Sequence, residues 1–208
     1  MKDIFDRIGK LFVGCTLASL GITCVLKAGL GCFATTATNM TFHNMFGLSI
    51  GCAGLLVELI MMLVLLKMKE GVGVCAIVNM TYGSFMIDMF NIVLPSHPLM
   101  VLGLVFAPIG WSLMGMSRFG DTNSNLLTTA LMKKTGRSIG LVRTIQECIF
   151  LFIGLFSHQV TWFTFALSFG LGHVMNFIYK LMKYDPTAIQ HSYLIGGGNF
   201  EIKKVCKK

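Results

Sequence analysis

Charge is what this sequence has least of. Asp, Glu, Lys and Arg make up 12% of its 208 residues, about half of the roughly 25% that solvates an ordinary soluble chain. With 54% hydrophobic residues to cover, so few charges cannot clothe a soluble surface. The seven cysteines show no CxxC spacing, so neither a disulfide framework nor a zinc site is implied. Most of them sit inside apolar runs, where free cysteine packs as a small hydrophobe. His43, His97, His158, His173 and His191 show no metal spacing either. There is no HExxH, no phosphate-binding loop, no GxSxG and no protease-like aspartate pair, so neither an enzyme nor a cofactor is expected. Without an ATP-binding motif, any transport is passive, ion-coupled or driven by a separate partner. No small-residue cleavage pattern closes the first apolar run, which is therefore expected to stay as a membrane helix.

What is present is a series of apolar runs near 20 residues long, the length that crosses a hydrocarbon core of about 30 Å. The chain reads as an all-α, polytopic membrane protein with the lipid bilayer as its first partner. A net charge of +8 raises the question of nucleic acid. The lysines and arginines, however, sit in short clusters between apolar runs, as topology signals do. No basic stripe interleaved with aromatics tracks a phosphate backbone, so no nucleic-acid partner is expected.

In chain order, residues 1–10 form a charged cytoplasmic lead. The first span is expected from about Leu11 to Leu30, with Gly14, Ala18 and Gly21 on one helical face. Such a small-residue stripe admits another helix closely in lipid. Cys32 to Phe46 carries Thr35, Thr36, Thr38, Asn39, Thr41, His43 and Asn44, too polar to cross lipid unaided. A re-entrant half-helix and an interfacial loop both fit it. Spans follow at Ser49–Leu66 and at about Val72–Leu94, the latter with Asn79, Gly83 and Asp88. Pro95-Ser96-His97-Pro98 is expected to be a tight turn between two membrane repeats, over 11–94 and 99–182.

The second repeat runs in the same order: a span from Leu99 to Ser117, a polar segment from Gly120 to Lys134, then spans at Ile139–Phe156 and Val160–Met182. Residues 183–208 are a basic tail, expected to be cytoplasmic and mostly disordered. Six spans place sixteen Lys and Arg on one side and Lys27 alone on the other, which sets both termini in the cytoplasm.

The repeat is spelled out in one phrase. Gly47-Leu48-Ser49-Ile50-Gly51 precedes Glu58, and Gly136-Arg137-Ser138-Ile139-Gly140 precedes Glu147, with one offset of 89 residues aligning both. The same offset superposes Gly14 on Gly103, Gly21 on Gly110 and Gly83 on Gly172. Three spans per half is an odd number, so the halves lie in opposite orientation. Such inverted repeats, in transporters, hold their sites near the midplane at the repeat interface.

Glu58 and Glu147 each lie about 13 Å along their spans from the start, measured at 1.5 Å per residue. A carboxylate at that depth is costly and must be paired, hydrated or protonated. An ion or proton site is one reading; a structural carboxyl capping hydroxyls or backbone is the other. Arg143, one turn before Glu147, is placed for an intrahelical pair, with an anion site as the lesser reading. Its counterpart in the first half is Gly54, so the two sites differ chemically. Asp88 either contributes to a site or snorkels and caps. Thr36, Asn39, Asn123 and Asn125 are the polar-segment candidates for binding a solute or ion. Ser49 and Ser138 are natural N-caps, and capping is their first role.

The phrase Gly136-x-Ser138-Ile139-Gly140-x-x-Arg143-Thr144-x-x-Glu147 resembles the hallmark of the YitT/YczE-type (YczE/YyaS/YitT) bacterial membrane proteins. The Lys27-to-Gly31 turn, the Ser49-Ile50-Gly51 phrase and Gly83 with Asp88 are similar to that family too. The sequence departs where that family has a proline followed by an aspartate in each polar segment; here stand Ala34 and Thr36, and Asn123 and Asn125. The resemblance implies a multi-pass protein of the bacterial plasma (inner) membrane with no established activity. Two function classes remain: a transporter-like protein for a small solute or ion, and a membrane scaffold or regulator that binds a partner protein. Convergence of the polar groups on a water-accessible cavity favours the first, and polar groups sealed by packing favour the second. Homo-oligomerisation is left open.

Overall fold

The computed structural model describes residues 2–95, 100–158 and 160–181. The tight turn expected at 95–98 lies mostly outside them, and the basic tail wholly so. The described residues are helical and contain no strand. The helices are α1 (Lys2–Lys27), α2 (Ala34–Phe46), α3 (Ile50–Lys67), α4 (Val74–Val78), α5 (Ser84–Val93), α6 (Met100–Met116), α7 (Asn123–Thr135), α8 (Ile139–Gly154) and α9 (Trp162–Leu181). A π-helical turn, Asn79–Gly83, joins α4 to α5.

Three helices are long and apolar enough to cross a membrane, over Asp3–Lys27, Ile50–Lys67 and Gly140–Ser157, and Met100–Met116 is a shorter apolar helix. Large apolar side chains face outward, such as Leu63, Phe152 and Trp162. Both features fit a membrane location. Residues 2–10 of the charged lead form the first turns of α1. They are held there because Arg7 closes the end of α6, donating to the carbonyls of Ser117 at 2.8 Å and Arg118 at 3.2 Å. Its guanidinium also lies 4.6 Å from the Phe119 ring centre.

The fold is built on the crossing of α1 with α6, the most extensive helix contact. A methyl group added at Gly14 would strike the Gly110 carbonyl, and one at Gly103 would strike the Gly21 carbonyl. One added at Gly21 would meet the Ala107 backbone, and one at Gly110 the Ala18 backbone. Low residue numbers of α1 thus meet high ones of α6, so the two helices are antiparallel. The small-residue stripes are what bring two backbones into contact without a layer of side chains.

The polar segments are helices. α2 and α7 each have 13 residues, about 20 Å at 1.5 Å per residue, too short to span. α2 turns polar side chains onto α8 and the short turn that follows it: the Thr38 hydroxyl donates to the Phe150 carbonyl at 2.9 Å, the Thr41 hydroxyl to that of Ile153 at 3.0 Å, and the Asn44 amide to that of Ser157, just past α8, at 3.2 Å. In the second half α7 lies on α3 through Leu126 and Ala130, packed near Leu65. Part of the polarity that bars these segments from lipid is thus paired within the protein.

The repeated phrase is a stop followed by a start. Gly47 (φ 64°) ends α2 and Gly136 (φ 65°) ends α7 in the left-handed conformation that glycine adopts without a Cβ penalty. Ser49 then caps α3, its Oγ accepting from the Cys52 amide at 3.1 Å. Ser138 holds the same extended N-cap backbone for α8, but its side chain makes no cap hydrogen bond. Basic side chains close both ends of α1. Arg7 and Arg118 meet at one, with Cys75 N–H bonded to the Phe119 carbonyl at 2.9 Å. At the other end of α1, Lys27 donates to the Leu94 carbonyl at 2.6 Å.

Candidate functional site

Between the two halves lies a cavity of about 80 Å³. Ser19 of α1, Thr35, Thr36 and Asn39 of α2, and Gly54 and Glu58 of α3 reach it from the first half, with Asn79 and Ser84. Trp111 of α6, Ser124 and Asn125 of α7, and Arg143 and Glu147 of α8 reach it from the second. A volume near 80 Å³ holds a few waters, since one water needs about 10–15 Å³ by a comparable measure.

Glu58 is held by amides. Asn79 donates to its Oε1 at 3.2 Å, and Asn123 to its Oε2 at 2.8 Å and to its backbone carbonyl at 3.3 Å. It forms no ion pair among the described residues. Asn123 is fully buried, and its Oδ1 has no hydrogen-bond partner. Glu58 itself keeps partial exposure toward the cavity.

Glu147 is held by charge. Arg143 Nε approaches its Oε1 at 3.0 Å as an i,i+4 pair, though without the alignment of a hydrogen bond. The guanidinium is itself tethered, Nη1 donating to Asn125 Oδ1 at 2.9 Å and to Ser124 Oγ at 3.4 Å. Asn125 in turn donates to Asp121 at 2.9 Å. Gln146, beside Glu147, donates to Ser124 Oγ at 2.8 Å and accepts from Thr128 at 2.5 Å. This network locks α7 to α8.

Of the residues singled out in the sequence, Glu58, Glu147, Arg143, Thr36, Asn39 and Asn125 line the cavity. Asn123 stands behind Glu58. Asp88 and Ser49 are elsewhere, at the start of α3. There Asp88 accepts from the Gly51 amide at 2.7 Å and from Ser49 Oγ at 2.5 Å, so it caps a neighbouring helix. Ser138 is exposed. Sequence reasoning did not single out Ser124, Gln146, Trp111 or Ser84. A glutamine adjoining a glutamate inside an apolar span was the available signal for Gln146, and a place between Asn123 and Asn125 was that for Ser124. Among the described residues no cluster of three or more His, Cys, Asp or Glu is placed to hold a metal ion.

A model of a family of unknown function, DUF6198, matches residues 5–100. The match covers a little under half of the chain, assigns no activity and does not carry the YitT/YczE name. No curated protein and no solved structure matches the chain.

Proposed function

We propose that the protein is a transporter-like integral membrane protein, with a site for a small solute or ion at the interface of two inverted three-helix repeats. The observation that carries this reading is the convergence of polar groups from both halves on one cavity. A scaffold would have those groups sealed against one another by packing. Here Glu58 keeps open space before it.

The contacts also repeat as an inverted pair would require. An offset of 89 carries Gly14 to Gly103 and Gly21 to Gly110, and the contact of Gly14 with Gly110 then becomes that of Gly103 with Gly21. The packing of α2 on α8 has its counterpart in α7 on α3. In this reading α4 and α5 form one span, six spans cross the membrane, and α2 and α7 enter it from opposite faces. Both termini are cytoplasmic, and the membrane is the bacterial plasma membrane that the family resemblance implies. Reporter fusions after Lys69 and within 120–136 should then report cytoplasm, and one at Ser96 the outside. A cytoplasmic signal at Ser96 would remove both the six spans and the inversion.

Activity is tested by a solute screen in proteoliposomes, with and without a pH gradient. Glu58→Gln and Glu147→Gln keep shape and a hydrogen-bond acceptor but cannot exchange a proton. If the pair couples flux to protons, the double variant should reconstitute and lose gradient-driven uptake altogether, since neither amide can take up a proton. Unchanged gradient-driven uptake in the double variant would remove the glutamates from the mechanism.

A further inference from the structure

We infer that the cavity binds a small guanidinium-type monocation, seated in the first half where the second half carries the side chain of Arg143. The inference rests on the binding site proposed above and names its ligand class.

The protein contains its own template for such a site. In the second half a guanidinium is held by Glu147, Asn125 Oδ1 and Ser124 Oγ. Shifted by 89 residues, the four positions become Glu58 for Glu147, Thr36 for Asn125, Thr35 for Ser124 and Gly54 for Arg143. All four of these line the cavity. Three can offer oxygen acceptors in place of the originals, and the fourth lacks a side chain altogether. The first half therefore keeps the cradle and omits the cation.

Three further observations agree. Thr36 lines the cavity and its hydroxyl makes no hydrogen bond among the described residues, so it is available there as an acceptor. The lining holds two carboxyl groups and one guanidinium, and that guanidinium is committed to Glu147, which leaves the Glu58 carboxyl as the acidic group without a cationic partner among the described residues. Size also fits. An apolar cavity of about 150 Å³ holds benzene, with six heavy atoms, so about 80 Å³ suits three or four, and guanidinium has four. Phe33 and Trp111, in edge contact at 5.6 Å, line the same space, and a planar cation packs well on aromatic faces.

The test is equilibrium binding to the purified full-length chain in detergent, by calorimetry, at millimolar guanidinium chloride far below denaturing concentrations. Potassium and methylammonium chlorides are the comparison cations. Guanidinium should bind one to one, more tightly than either. Glu58→Gln should weaken it by at least about tenfold, as loss of a charged hydrogen-bond partner does. Thr36→Val, which keeps the side-chain shape, should weaken it severalfold. Gly54→Arg supplies the cation from within and should abolish binding while the protein still purifies as a folded species. The new Cβ would lie 3.0 Å from the Asn39 amide nitrogen, the far end of a side chain that can give way. If Gly54→Arg does not fold, Thr36→Val and Glu58→Gln decide the matter. Undiminished binding in Glu58→Gln, or potassium binding as tightly as guanidinium, would overturn the inference. Because binding is read without flux, the two readings fail separately. Binding without uptake would end the transport proposal alone, and uptake of a solute with no guanidinium binding would end this inference alone.

Discussion

Arg143→Met is expected to destabilise the protein by about 3 kcal/mol, the lower end of the range for orphaning one member of a buried pair. The lower end applies because the Arg143 side chain is 25% exposed while Glu147 is at 5%. The substitution leaves the carboxylate of Glu147 buried without its cation, and Asn125 Oδ1 loses its donor as well, while Ser124 keeps the one from Gln146. Glu147→Gln should cost less, since the arginine keeps Asn125 and Ser124 as acceptors and has partial access to the cavity. Removing both charges leaves no orphan, so the double variant should be less damaged than the sum of the singles. Thermal melting in detergent of the parent, the two single variants and the double measures the coupling. Additive losses would mean that the 3.0 Å approach contributes no net interaction. Arg143 would then serve α7 rather than its own helix.

The second large effect concerns the α1–α6 crossing. Gly21→Leu and Gly110→Leu are each expected to prevent assembly of a stable protein, read as loss of a monodisperse peak and of a cooperative melt. A Cβ at Gly21 would lie 2.4 Å from the Ala107 nitrogen, and one at Gly110 would lie 2.4 Å from the Ala18 nitrogen. Backbone atoms cannot rotate away, so the helices must separate. Even Gly21→Ala should cost roughly 1–3 kcal/mol, as overpacking does. Gly9→Ala is the control: nothing lies within 4 Å of a Cβ there, and in a helix interior the change should stabilise by roughly 0.5–1 kcal/mol. The same substitution on one helix therefore changes sign within four turns. Equal effects at Gly9 and Gly21 would remove the close crossing as the basis of the fold.

The sequence made the order of elements readable for identifiable reasons. Gly47 and Gly136 announce helix ends because the left-handed cap excludes most other residues, and Ser49 announces a start because its hydroxyl is needed there. The small stripe on α1 was legible as a packing face, since in lipid only backbone approach distinguishes glycine from leucine. The i,i+4 spacing of Arg143 and Glu147 pointed to a pair on one helix. Partners between helices were not legible. Nothing local says that Asn123 meets Glu58 across 65 positions, or that Asp88 caps α3 rather than its own helix. Thr38 and Thr41 left a re-entrant half-helix and an interfacial loop both open, because the carbonyls they reach, at Phe150 and Ile153, belong to a distant segment. Local pattern records what a helix needs from itself, and the cavity depends on what each helix receives from others.

The π turn at Asn79–Gly83 has a rotational consequence. Asn79 and Asp88 are nine residues apart, and at about 100° per residue an unbroken α-helix would point them half a turn away from each other. Both nevertheless meet α3, Asn79 at Glu58 and Asp88 at the amide of Gly51. A π turn absorbs one residue of the helical count, leaving an effective separation of about eight residues and an angle of about 80°. The wide turn thus works as a phase shifter. It keeps the π turn itself and α5 in step with α3. One residue more or fewer in that turn would decide whether the carboxylate that caps α3 and the amide that steadies Glu58 face the same neighbour.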